Sequence, residues 1–198
     1  MKVNHYYTAN PDLPHDTAVI DYLAKGRKLQ FMSDAGAFSR QKVDFGSNLL
    51  INALPALKGK VLDLGCGYGP IGISLAVLNP GIEVTMADVN RRAVALAQEN
   101  IRINKVTNAQ ALESNGFDKI KGKFSTVISN PPIRAGKKVI YPLFEQSITF
   151  LEEGGSLWLV IQKKQGAPSA VAKLESVFGN CSVTDKSGGY WLLCSEKK

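Results

Sequence analysis

Apolar residues fall into two repeating patterns along this chain. From residue 60 onward, short apolar or β-branched runs alternate with longer stretches whose apolar positions recur every three or four residues. The first pattern suits a strand buried on both faces, the second an amphipathic helix. Strands are predicted at 61–64, 82–87, 109–112, 124–129, 157–162, 181–184 and 190–194. Between them, Pro70 opens a helix carrying Ile71, Ile73, Leu75, Ala76 and Leu78. Proline suits the first helical position because the N–H it lacks would have no intrahelical partner there. Asn90 is placed to cap a helix with Ala93, Val94, Leu96, Ala97, Ile101 and Ile103 on its apolar face. A further helix is predicted over 139–151, closed by Gly154-Gly155, and another over 167–178. Upstream, Asp44 can cap a helix bearing Phe45, Leu49, Leu50, Ala53 and Leu57, which Pro55 kinks or stops early. Residues 1–30 are polar, and Leu29 and Phe31 then alternate with polar neighbours up to the turn signal Asp34-Ala35-Gly36. That segment reads as an arm ending in a short hairpin.

Strands alternating with helices imply parallel βαβ units with right-handed crossovers. The last two strands depart from this, because Lys186-Ser187-Gly188-Gly189 between them is a tight-hairpin signal and a hairpin joins antiparallel strands. The expected architecture is α/β: a doubly wound, mostly parallel seven-stranded sheet with an antiparallel C-terminal strand and helices on both faces. The expected division is 1–44, an arm and short hairpin covering the site, and 45–198, the main domain.

Composition narrows the classes. Hydrophobic residues at 44% and charged residues at 21% are those of an ordinary globular protein and exclude wholesale disorder. Lys+Arg 24 against Asp+Glu 17 leaves +7, which points to an anionic partner, nucleic acid before a membrane surface. The N-terminus shows no apolar segment of the secretory kind, and the longest strongly apolar stretches, such as 157–161, are too short to span a bilayer. The three cysteines, Cys66, Cys181 and Cys194, are not spaced as a zinc half-site, and their odd number argues against a disulfide framework. A cytoplasmic setting without metal or membrane partner is the expectation. Both histidines, His5 and His15, lie in the polar arm, which disfavours a Ser/His/Asp machine.

Residues 61–73 read VLDLGCGYGPIGI. A strand delivers Asp63, then glycines at 65, 67 and 69 open a helix. Such glycines let the backbone bend sharply and leave no Cβ between chain and ligand, which would lie at the strand ends beside a helix N-terminus. The stretch 67–72 also matches a dinucleotide fingerprint, but it begins late and runs into Pro70. Asp88 ends the next strand, where a carboxylate can accept two ribose hydroxyls or simply cap a helix. Asn130-Pro131-Pro132 follows the fourth strand of the series. Pro-Pro makes a rigid turn anywhere. At this sheet edge, however, a side-chain amide oxygen and a backbone carbonyl converge. Two acceptors with no acid or base suit an amine nucleophile, since they bind both N–H groups and stabilise the charge that develops on nitrogen.

With these motifs the sequence resembles class I S-adenosylmethionine-dependent methyltransferases, which have a Rossmann-like fold. More narrowly, it resembles the small-subunit ribosomal RNA methyltransferase C family, which acts on guanine N2. The resemblance takes in His5-Tyr6-Tyr7, Asn10-Pro11, Gly36-Ala37-Phe38-Ser39, Val43-Asp44-Phe45-Gly46, the glycine loop, Ala87-Asp88-Val89-Asn90 and residues 130–137. It implies that Asp63 and the loop of Gly65, Cys66, Gly67 and Gly69 hold the methionine part of S-adenosylmethionine. Asp88 would bind its ribose and Val89 would pack on adenine. Ser114 and Asn115 would lie by the adenine amino group, with Phe117 nearby. Asn130, against the cofactor, and the carbonyl of Pro131 would hold the target amine. Pro132, Ile133, Arg134, Lys137 and Phe38 would face the substrate. Transfer would be direct and in line, with no covalent enzyme intermediate. Two positions depart from the family pattern: Asn115 stands where Asp is frequent, and Ile133 where Phe or Tyr is frequent. The family's full-length bacterial enzyme also carries a second, N-terminal methyltransferase-like domain.

Basic residues gather near the same strand ends: Arg134, Lys137 and Lys138, then Lys163 and Lys164, with Arg40 and Lys42 in the arm. Such groups suit phosphates flanking an unpaired or flipped guanine, so RNA is the expected partner. The alternatives are methylation of a protein glutamine amide, a nicotinamide oxidoreductase on the fingerprint phase, and a non-catalytic RNA-binding module.

Overall fold

In the computed structural model, residues 17–34 and 42–198 are described. His5, Tyr6, Tyr7, Asn10, Pro11, His15 and the 36–40 segment with Phe38 and Arg40 lie outside them. Strands β1 (Ala18–Ala24) and β2 (Arg27–Ser33) come first, then α1 (Phe45–Ala53) and β3 (Lys60–Leu64). They are followed by α2 (Pro70–Leu78), β4 (Glu83–Asp88), α3 (Arg91–Ile103), β5 (Ala109–Glu113) and β6 (Phe124–Ser129). A 3-10 turn (Ile133–Ala135) leads into α4 (Lys137–Phe150) and β7 (Leu151–Gln162). A second 3-10 turn (Lys163–Gln165), α5 (Ala167–Phe178), β8 (Ser182–Ser187) and β9 (Tyr190–Glu196) complete the chain.

Seven strands form one sheet in the order β5-β4-β3-β6-β7-β9-β8. Strands β3 to β7 pair in parallel, and β9 runs antiparallel between β7 and β8. This is the predicted doubly wound sheet with a reversed strand near its end. Alternation along each strand sends side chains to opposite faces. Val61, Val84, Met86, Ile128, Val160 and Leu192 pack against α1, α2 and α3 on one face. Leu62, Ala87, Val127, Leu157, Leu159, Ile161 and Leu193 pack against α4 and α5 on the other. The predicted caps are present. Asp44 accepts from Ser47 N at the start of α1, and Asn90 accepts from Arg92 N and Ala93 N at the start of α3. Helix α1 ends at Ala53, before Pro55, as expected where a following proline disfavours helical backbone.

Two boundaries differ from those read in the sequence. The N-terminal hairpin turns at Lys25-Gly26, both at positive φ (43° and 86°), and not at Asp34-Ala35-Gly36. A two-residue turn that needs positive φ twice is usually announced by Asn-Gly or Asp-Gly, and Lys-Gly is a fainter mark. The hairpin buries Ile20, Ala24, Leu29 and Phe31 in the core shared with α1 and α2, and Asn100 of α3 clamps Met32 through both its backbone groups (2.7 and 2.9 Å). The second difference is β7, which begins at Leu151, directly from α4, and passes through Gly154-Gly155. Phe124 pairs with Leu151 but Thr126 with Ser156, so the extra residues bulge out of the ladder. Gly155 is needed there because a Cβ would lie 2.9–3.1 Å from three carbonyl oxygens.

Candidate active site

The parallel register sets Asp63 opposite Met86 and Leu64 opposite Ala87, so β3 and β4 end side by side. The chain after β3 is then tied to the tip of β4. Gly65 N and Cys66 N both donate to Ala87 O (2.8 and 3.0 Å), and Gly69 N donates to Cys66 O (3.0 Å). Gly65, Gly67 and Gly69 have φ of 73°, 57° and 91°, values that glycine reaches without strain. Gly69 is the N-cap of α2, so the glycines at 65, 67 and 69 make the turn. Gly72 lies inside α2, and its bare Cα lets the helix sit on β4: a Cβ would meet Met86 Sδ at 2.5 Å. The fingerprint phase 67–72 therefore does not form the loop.

Two carboxylates stand behind this loop. Asp63 is fully buried. Its Oδ2 accepts from Gly72 N (2.8 Å) and its Oδ1 has no partner among the described residues. Burial pushes its pKa up to about 7, the Gly72 N–H opposes this, and the Asp88 charge adds to it. Asp88, 8% exposed, accepts from Asn90 N (2.8 Å) and Gly67 N (2.9 Å). Burial raises its carboxyl as well, against the pull of those N–H groups. Burial likewise holds the Cys66 thiol well above the ordinary thiol range.

A cleft of about 710 Å³ opens at these strand ends. Of the residues expected at a cofactor, Gly65, Cys66, Gly67, Asp88, Val89, Ser114, Asn115 and Asn130 line it. Of those expected at a substrate or amine, Pro131, Pro132, Ile133 and Arg134 line it. Asp63, beneath the loop, and Gly69, at its junction with α2, do not line the cleft. Phe117 is 3% exposed and stacks on Phe150 at 4.5 Å, behind the wall. Lys137 sits over the Tyr141 ring (5.8 Å), and its neighbour Lys138 lines the cleft instead. No residue of 17–34 lines the cleft.

Asn130 is held by a helix far from it in sequence. Its Nδ2 donates to Asp44 Oδ1 and to Ser47 Oγ, each at 3.1 Å. Both contacts use the NH2 group, so neither engages the amide oxygen. Ser129 Oγ donates to Leu64 O (2.6 Å), locking the tip of β6 to that of β3. The Pro131 carbonyl accepts from Ile133 N (2.8 Å), which leaves its second lone pair. Asn130 and Pro131 both line the cleft, each carrying an oxygen acceptor. The sequence named Asp44 as a helix cap and as part of the family signature but not as a partner of Asn130, and it missed Ser47, Tyr68, Gln162, Gln165 and Tyr190 in the cleft wall. No local pattern joins these residues, since the Asn130 bonds span 86 and 83 positions. Among the described residues, no group of three or more His, Cys, Asp or Glu gathers as for a metal. None of their helices is long and apolar enough to cross a membrane.

The pattern of the methyltransferase small domain matches residues 28–194. YbxB of Bacillus subtilis, an uncharacterized protein, is 44% identical over 197 residues, 98% of each chain. The ribosomal RNA small subunit methyltransferase C of Vibrio cholerae is 32% identical over 182 residues, 90% of this chain and 52% of that protein. The chain thus spans about half the length of that relative. Among solved structures, the T. thermophilus 16S rRNA N2 G1207 methyltransferase in complex with AdoMet and guanosine superposes with a TM-score of 0.83 at 28% identity. That match covers 95% of this chain and 52% of the other.

Proposed function

The chain belongs to the methyltransferase small-domain family, and from that premise we propose that it methylates the exocyclic N2 amine of a guanine in small-subunit ribosomal RNA. Its cofactor is S-adenosylmethionine. The residues present fit that group. The loop carries glycine at 65 and 67, so backbone rather than side chains faces the cleft. Tyr68, in the cleft wall, has a buried hydroxyl with no partner among the described residues, and Asp88 stands at the cleft edge with lone pairs to spare for ribose hydroxyls. Val89, 41% exposed, offers an apolar face to adenine, with Ser114 and Asn115 beside it and Phe117 packing behind. Asp63 acts from beneath, holding α2 through Gly72 N–H.

S-adenosylmethionine bound there would supply a methyl group activated by its sulfonium and leave as S-adenosylhomocysteine, and the methylated nitrogen would release one proton to solvent. The chain's own residues handle the amine. Asn130 Oδ1 and Pro131 O accept its two N–H bonds, which aims the nitrogen lone pair and favours the positive charge that grows on nitrogen. Asp44 and Ser47 keep Asn130 in the orientation this requires. The observation that carries the proposal is the Asn130 amide, anchored by its nitrogen at 3.1 Å to both partners, in the same cleft as the glycine loop.

RNA is favoured over a protein amide by the exposed Arg134 and Lys138 in the cleft wall, by Lys163 and Lys164 just after β7, and by the names of the relatives. Transfer of tritiated methyl to RNA and protein fractions, with nucleoside analysis of the RNA, tests it. Label as N2-methylguanosine is expected, and label in protein alone would overturn it.

A further inference from the structure

The target amine sits on a flat, polarizable ring, and two oxygen acceptors fix one edge of that ring but neither face. The residues from Asn130 to Ile133 include no aromatic. Among the described residues lining the cleft, the aromatic side chains are Tyr68 and Tyr190. Tyr68 is committed to the core, 2% exposed and edge-on to Phe31 at 6.0 Å and 70°. Tyr190 is half-buried and opens β9, opposite Gln162 of β7.

The Tyr190 ring is braced. Phe45, itself 45% exposed, packs on it with centroids 5.6 Å apart and planes 36° apart. Gly46 lies in the first turn of α1 without a positive φ, so its backbone conformation does not call for glycine. Space explains it: a Cβ there would lie 3.2 Å from Tyr190 Cε1 and 3.2 Å from Asp44 Oδ1. Gly188 makes similar room for Phe45, whose Cζ would be 2.5 Å from an added Cβ. The carboxylate oxygen that Gly46 clears is the one that accepts from Asn130 Nδ2. The Tyr190 ring and the Asp44 oxygen that holds Asn130 therefore both flank Gly46. The exposed Lys163 follows at once, its N–H donating to Gly189 O (2.8 Å).

We propose that Tyr190 is the stacking face for the target base, a substrate-binding residue delivered by the reversed strand. This rests on the proposed transfer to a base amine and adds how the base is gripped. Aromatic faces contribute to nucleobase binding by stacking. The test compares wild type, Tyr190→Phe and Tyr190→Leu on unmethylated small-subunit ribosomal RNA, with S-adenosylhomocysteine calorimetry alongside. Tyr190→Leu should raise KM for RNA by about 5- to 100-fold, leave kcat within a few fold and leave S-adenosylhomocysteine affinity unchanged. Tyr190→Phe should behave as wild type. A second readout needs no turnover: with S-adenosylhomocysteine present, the H8 proton of added guanosine monophosphate should shift upfield in wild type and Tyr190→Phe but not in Tyr190→Leu. Unchanged KM and an unchanged shift in Tyr190→Leu would overturn the proposal, as would a Tyr190→Phe variant as impaired as Tyr190→Leu. Should wild type label no RNA, the proposed activity fails, and the proton shift still decides the role of Tyr190.

Discussion

The two walls of the cleft are built in different ways. The donor wall, at the tips of β3 and β4, comes largely from one short stretch of chain and closes on itself through backbone bonds, as where Gly65 N and Cys66 N share Ala87 O. The acceptor wall, at the tip of β6, draws Asn130 from one connection, Asp44 and Ser47 from α1 and Tyr190 from β9. The donor wall needs only the sheet to form. The acceptor wall needs three distant elements to meet, so it is where specificity can change without loss of the cofactor site.

Asn130→Ala should separate the walls most sharply. It removes one of two acceptors, and kcat should fall by about 10³-fold, while calorimetry finds S-adenosylhomocysteine affinity within about threefold. A comparable loss of affinity would mean that the walls are not independent. The next effect lies in the donor wall. With its pKa raised from 3.8 to about 7, Asp63 keeps a proton in the folded chain that the unfolded chain has released between those values. Without cofactor, stability should therefore fall as pH rises from about 4 to 7 and level off above, by up to about 4 kcal/mol. Urea unfolding of Asp63→Asn should show a much flatter slope, retaining the part due to Asp88, which shifts the same way. Identical slopes in the two proteins would remove Asp63 as the source. The smallest effect concerns Asp44. Asp44→Ala loses both the cap and the hold on Asn130, so kcat should drop about tenfold and stability by about 1 kcal/mol. Asp44→Asn, which still caps and still offers an oxygen, should recover most of both. A kcat indifferent to Asp44→Ala would uncouple α1 from the amine.

The same contrast explains what could be read in the sequence. The loop, Asp88, the Asn90 cap and the succession of strands and helices along the chain follow from residues within a few positions of one another, where spacing and turn chemistry speak directly. Even the reversal of β9 was legible, because Gly188-Gly189 marks a two-residue turn. Asp44 was visible as a cap but not as the partner of Asn130, because that bond crosses 86 positions. Phe117, expected as packing near the adenine end, packs on Phe150 behind the wall, whereas nothing in the local pattern marks Lys137 as lying over the Tyr141 ring. The start of β7 was misread because a bulge lets two glycines remain within a strand.

The antiparallel course of β9 has a consequence for how such a site can diversify. Five parallel strands bring their last residues to the working edge, but β9 brings its first, immediately after a two-residue turn. If the proposed base binding holds, lengthening or recolouring that hairpin would redraw the rim over the base while the glycine-loop side of the cleft stays as it is. One reversed strand thus leaves a cofactor-dependent scaffold with a replaceable reading head.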